Sequence, residues 1–165
     1  MQWAWAGQAV LYGSFAAVIA VFSSWPAYHH LPDGHALIKL SFTHHAQRVH
    51  ECEPVSAEEL AKLAPNMRAP MRCPRERSPI TVEVDLDDDL VYRRTAAPAG
   101  LSGDGAASVY RRIAVPAGVH RVSVRLRDSV RSEGFDFARS EVVNLQPAEV
   151  LVIDFDAGQG EITFQ

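Results

Sequence analysis

Seven residues within one stretch are of types that bind soft metal ions: His44, His45, His50 and Cys52, then Met67, Met71 and Cys73. Imidazole combined with thiolate and thioether sulfur is a ligand set suited to copper. The spacing points elsewhere, because no paired CxxC is present and a strand would place His44 and His45 on opposite faces. The two cysteines flank a short segment rich in turn formers, and a Cys52 to Cys73 disulfide accounts for them more simply. Such a bond closes a loop of about twenty residues and stabilises by roughly 3 kcal/mol on the chain-entropy account. Met67 and Met71 then fill gaps beneath the loop, and the histidines are surface residues.

Other groupings carry less chemistry. Asp85, Asp87, Asp88 and Asp89 offer hard oxygen ligands for calcium, but the glycine and distal glutamate of an EF-hand loop are missing, so they read as a solvated hairpin tip. Arg93, Arg94, Arg111, Arg112, Arg121, Arg125 and Arg127 form a basic set. Alternation puts Arg121, Arg125 and Arg127 on one side of a strand, where they could meet an acidic partner or anionic headgroups; cross-strand pairing with Asp and Glu is the ordinary alternative. His120, Ser123 and Asp128 lack a nucleophile elbow, and Gly100 to Gly105 lacks the lysine of a phosphate-binding loop. The sequence therefore predicts no catalytic residues, no small-molecule substrate and no cofactor, copper excepted on the alternative reading. A net charge of -4 with interspersed signs argues against nucleic acid.

The elements that must position these residues begin with the N-terminus. Met1 to His29 contains no Asp, Glu, Lys or Arg, and Ala9 to Trp25 is apolar and long enough to cross a hydrocarbon core of about 30 Å. Trp3 and Trp5 at one end, Trp25 and Tyr28 at the other, fall where interfacial aromatic belts belong. A cleaved signal should open with a basic region and close on small residues, and neither is evident, so the segment reads as an uncleaved single-pass anchor. Lys39 and Arg48 after the helix favour a cytoplasmic domain, whereas a disulfide favours an oxidising compartment; the periplasmic side is the stronger expectation. The excess of Arg over Lys and the abundant Ala match GC-rich bacterial coding, which makes the expected site a bacterial inner membrane.

Beyond the anchor (1–28) the chain divides into a juxtamembrane first strand and Pro-rich segment (29–79) and a β-rich core (80–165). Tyr28 to Gly34 reads as a turn and Ala36 to Phe42 as a strand. Ser56 with Glu59 signals a short helix that ends before Pro65. Ile80, Val82, Val84 and Leu86 alternate with Thr81, Glu83 and Asp85, the pattern of a half-buried strand. Val109 to Val115 and Val119 to Arg127 are expected to pair as a hairpin through Pro116-Ala117-Gly118, with further strands at Glu141 to Leu145, Val150 to Phe155 and Glu161 to Gln165.

The run Val115-Pro-Ala-Gly-Val-His-Arg-Val-Ser-Val-Arg-Leu, followed by Val142 to Gln146 and Val150 to Phe155, resembles the closing strands of PEGA-type and Ig-like extracytoplasmic β-sandwich modules, over less than half the chain. That resemblance implies an Ig-like or transthyretin-like antiparallel sandwich that binds or spaces other proteins. The expected function is a non-enzymatic, membrane-anchored accessory or structural subunit of a larger membrane complex. The alternative is a periplasmic copper-binding or metallochaperone protein serving a respiratory enzyme.

Overall fold

A computed structural model describes residues 2–25 and 31–165, which fall in two compact units, Met1–Pro32 and Asp33–Gln165. The first unit carries helix α1, Gln2–Ser24. Its segment Trp5–Ser24 is long and apolar enough to cross a membrane, with a mean hydropathy of 1.6 and none of it buried. Ser14 and Ser24 turn their hydroxyls back onto the carbonyls of Leu11 and Ala20, at 2.9 and 2.7 Å, so neither needs water or a neighbour to satisfy it. Trp3, Trp5 and Trp25 are exposed; of the turn expected over Tyr28 to Gly34, Tyr28 to His30 lie outside the described residues and Asp33 with Gly34 forms a turn.

The second unit is mainly β. Its strands are β1 His35–His44, β2 Glu53–Pro54, β3 Met71–Arg72, β4 Ile80–Leu86, β5 Asp89–Ala96, β6 Ala107–Pro116, β7 Gly118–Arg127, β8 Phe137–Leu145, β9 Val150–Asp156 and β10 Glu161–Phe164. They form one four-stranded sheet in the order β10-β9-β1-β6, another in the order β5-β4-β7-β8, and a ribbon of β2 with β3. Both large sheets feed a single apolar cluster. Ile38, Leu40 and Ile153 from the first meet Val82, Val84, Val122, Val124 and Leu126 from the second, each set spaced two residues apart as a strand requires. Because β1 supplies four members of that cluster, Ala36, Ile38, Leu40 and Phe42, the expected boundary at Ile80 divides a unit that the structure holds together.

Two strand expectations are corrected. β6 and β7 do not pair with each other: β6 lies against β1 in the first sheet, and β7 lies between β4 and β8 in the second. Only Ala117 separates them, too short for a two-residue hairpin loop, and Gly118, at φ +142°, takes the bend that sends the chain across to the other sheet. Alternation marks the side of a strand that faces the core but not which strand lies beside it. The first sheet is also mixed, since β9 runs parallel to β1 over Leu37–Leu40 and Val150–Ile153. Two of the links between the sheets, β6 to β7 and β8 to β9, lie at the end where the unit begins: Ala117 N–H donates to the Gly34 carbonyl, and Ala148 N–H donates to the His35 carbonyl, each at 2.8 Å.

β4 is buried on both faces, not one. Thr81 and Glu83 are as hidden as their apolar neighbours because the strand lies inside its sheet and arginine side chains from β5 and β7 cover its outer side. The short helix, α2, Ala57–Lys62, forms as its capping box predicts: Ser56 accepts a hydrogen bond from Glu59 N–H at 3.2 Å, and no residue of the helix is buried. It precedes a 3-10 turn at Pro65–Met67.

Candidate functional site

Cys52 and Cys73 are joined in a disulfide, with Cα atoms 4.2 Å apart. The bond sits in a continuous antiparallel register: Gln47 faces Ser78, Arg48 faces Arg77, Val49 faces Glu76, Glu53 faces Arg72 and Val55 faces Pro70. It staples the base of an excursion that holds α2 and contributes nothing buried to the core. Both cysteine sulfurs are thereby removed from the ligand set considered for copper. The remaining members do not converge. Met67 and Met71 are exposed on the excursion and fill no gap, His45 and His50 are exposed, and His44 turns inward to a different partner. Among the described residues, no three His, Cys, Asp or Glu side chains are placed to hold a metal ion.

His44 places Nε2 2.9 Å from Asp128 Oδ2, with both side chains buried and the ring set edge-on to Phe155. Its Nδ1 is buried without a partner. Asp128 begins the loop between β7 and β8, which Asp136 organises. Burial pushes the Asp136 carboxyl up, but hydrogen bonds from the Ser132 hydroxyl and from the N–H groups of Asp128 and Ser129 prevail and hold it below the usual value.

A second carboxylate–imidazole pair joins elements 33 residues apart. Asp87, at φ +52° in the β4–β5 turn, takes His120 Nδ1 at 2.6 Å on one oxygen and Arg121 N–H at 2.8 Å on the other. His120 Nε2 lies 2.9 Å from the Pro116 carbonyl. Donation of this hydrogen bond to the Asp87 carboxylate raises the His120 pKa above its ordinary value, and accepting it lowers that of Asp87.

The outward arginines of β7 are mostly committed. Arg125 bridges Glu83 at 2.9 Å and Asp85 at 2.8 Å and lies over the Phe135 ring, Arg93 holds the other side of Glu83 at 3.0 Å, and Arg121 reaches Asp88 at 3.8 Å. Arg127 has no carboxylate within ion-pair distance among the described residues. Of the aspartates considered for calcium, Asp85, Asp87 and Asp88 are thus paired with Arg125, His120 and Arg121 of β7. Beside Arg125, the small side chains of Ser123, Ala138 and Ser140 leave a shallow depression. A second cleft at the base of the ribbon is lined by Gln47, Arg48, His50, Glu51, Arg77 and Arg131, and there Arg131 pairs with Glu51.

The chain matches no family model, no curated protein and no solved structure.

What the geometry can do chemically is therefore narrow. The His120–Asp87 pair has the composition of a catalytic dyad, yet both ring nitrogens already face acceptors, so the ring has no free nitrogen with which to take a proton from a nucleophile. Ser123 is 2.8 Å from the Ser140 hydroxyl and belongs to a different network, while Asp128 belongs to His44. None of the clefts described above, nor the one beside His120, is lined by His44. Each pair clasps a loop to a strand, Asp128 to β1 and the Asp87 turn to β7. Neither was visible in the sequence, because their partners are 33 and 84 residues apart and no local motif marks them.

Proposed function

We propose that this chain is a non-enzymatic, single-pass membrane protein of the bacterial inner membrane, with Asp33–Gln165 on the periplasmic side, serving as an accessory or structural subunit of a larger membrane complex. The observation that carries this reading is α1, an uncharged helix with none of Trp5–Ser24 buried and tryptophans near both ends, preceding a unit whose two carboxylate–imidazole pairs each hold a loop to a strand. A bilayer is the surrounding that an apolar helix of this length fits. Two four-stranded sheets sharing one core support the sandwich type, Ig-like or transthyretin-like, and the resemblance to PEGA-type modules supports a role in binding or spacing other proteins. The disulfide supports an oxidising compartment. The copper alternative loses its thiolates to that bond, and no observation favours it.

The test is to extract the tagged full chain from its own membranes in mild detergent and to determine co-purifying proteins and metal content on one sample. A stoichiometric partner without metal is the expected result. A lone monomer overturns the subunit reading, and bound copper without partners replaces it with the metallochaperone.

A further inference from the structure

We infer that the free edge of β6 is a docking site for an extended acidic segment of a partner protein, which adds to the first sheet as a further strand. β6 is the last strand of its sheet, and its ten residues pair with β1 without a register shift, so one whole side of its backbone N–H and C=O groups has no strand beside it. Edges this long and regular recruit strands.

The charges around this edge say what kind of strand. Lys39 of β1 and Arg112 of β6 stand directly opposite each other, and like charges in that position destabilise a sheet unless something neutralises them. Arg111 turns towards the seam between the sheets, where β5 approaches β6, and its guanidinium lies 5.6 Å from the Tyr92 ring. Arg94 follows Tyr92 on the same side of β5, since Val84 and Val82 are their respective partners in β4. Among the described residues, none of Lys39, Arg94, Arg111 and Arg112 has a carboxylate within ion-pair distance, although the chain is acidic overall. Four cations without counter-charges therefore flank one unpaired edge, on both of its faces. They repel a second copy of the same edge, which would set arginine against arginine, and they favour a strand carrying adjacent acidic residues, one for each face. Tyr110, exposed beside Arg112, offers an aromatic surface to the same strand.

The inference rests on the subunit reading for there being a partner, and it names the chemistry of that partner. The probe is a labelled eight-residue peptide, Thr-Val-Thr-Glu-Glu-Thr-Val-Thr, titrated by fluorescence anisotropy against the full chain in neutral phosphatidylcholine nanodiscs. It is expected to bind, and to weaken about tenfold when its two Glu become Gln or when the protein carries Arg94→Glu with Arg112→Glu. N-methylation of its four central residues is expected to abolish binding, because a strand addition needs those N–H groups. Arg112→Glu alone serves as the folded control, since it places an opposite charge across from Lys39; it too should weaken the peptide. No binding, equal binding by the N-methylated peptide, or indifference to both charge reversals overturns the inference. So does capture of separate phosphatidylglycerol vesicles through the same arginines without peptide binding, which would make the face a lipid site. A partner that co-purifies with wild type and stays with the double variant sinks the edge and leaves the subunit reading standing; no partner with wild type sinks the subunit reading.

Discussion

Both nitrogens of His120 face acceptors, so only the imidazolium satisfies them, and the bond to Asp87 ties the β4–β5 turn to the link between β6 and β7. The histidine pKa is raised above 6.5, so its contribution to stability is complete below about that pH and is lost as pH climbs through the higher folded value. The Asp87 pKa is lowered below 3.8, so its contribution is complete above that pH and is lost only in acid. The clasp is therefore strongest between those two values and fades on the alkaline side. Replacing His120 by Gln keeps a donor for Asp87 but removes the titration. Thermal midpoints at pH 5.5 and pH 9 should show wild type ahead of H120Q by more at the lower pH; a margin that widens at pH 9 would refute this assignment. At this scale the sequence was nearly silent. It placed Asp87 at a hairpin tip and His120 on a strand, both correctly, but only the assembled sheets bring the tip over the strand.

At the scale of elements, local signals held where a few neighbouring residues decide the outcome. The Ser56 cap, the Pro65 stop and the alternating strands all formed, and Cys52 with Cys73 paired across a turn-rich segment. Neighbour relations were not legible, because a core-facing alternation is the same in either sheet; hence β6 and β7 read as a hairpin and proved to belong to opposite sheets. The status of β1 follows from the same limit. It sits between β9 and β6, and Ile38 within it is fully buried, so the first sheet cannot form without it. Ile38→Ala should cost about 2–5 kcal/mol in chemical denaturation, as much as the same truncation at the fully buried Ile153. A fragment starting at Ile80 should fail to give the β-type circular dichroism of the whole unit. The excursion behaves oppositely, since it buries nothing: Cys52→Ser with Cys73→Ser should make Arg68 and Arg72 readily cut by trypsin while the sheets stay folded. Cooperative loss of both together would show that the excursion supports the core after all.

For the whole molecule, the two cues to membrane side conflict, and their strengths differ. The basic bias after α1 within reach of the bilayer rests on Lys39 and, at the margin, Arg48, against an N-terminal flank with no charged side chain at all. Two charges in a folded sheet and ribbon are a weak retention signal, because such residues reach the membrane surface only if the fold turns them there. The disulfide is a stronger cue, for a bond between cysteines held 4.2 Å apart at their Cα atoms persists where thiols are not kept reduced. On the proposed periplasmic placement, a membrane-impermeant maleimide added to spheroplasts should label neither cysteine until a reductant is supplied, and both afterwards. Proteinase K added to the same spheroplasts should remove the Asp33–Gln165 unit without lysis. Labelling that needs lysis but no reductant would put the unit in the cytoplasm with free thiols. That outcome would also return Cys52 and Cys73 to the pool of metal ligands, so one experiment on topology decides whether the soft-ligand cluster has any chemistry left to do.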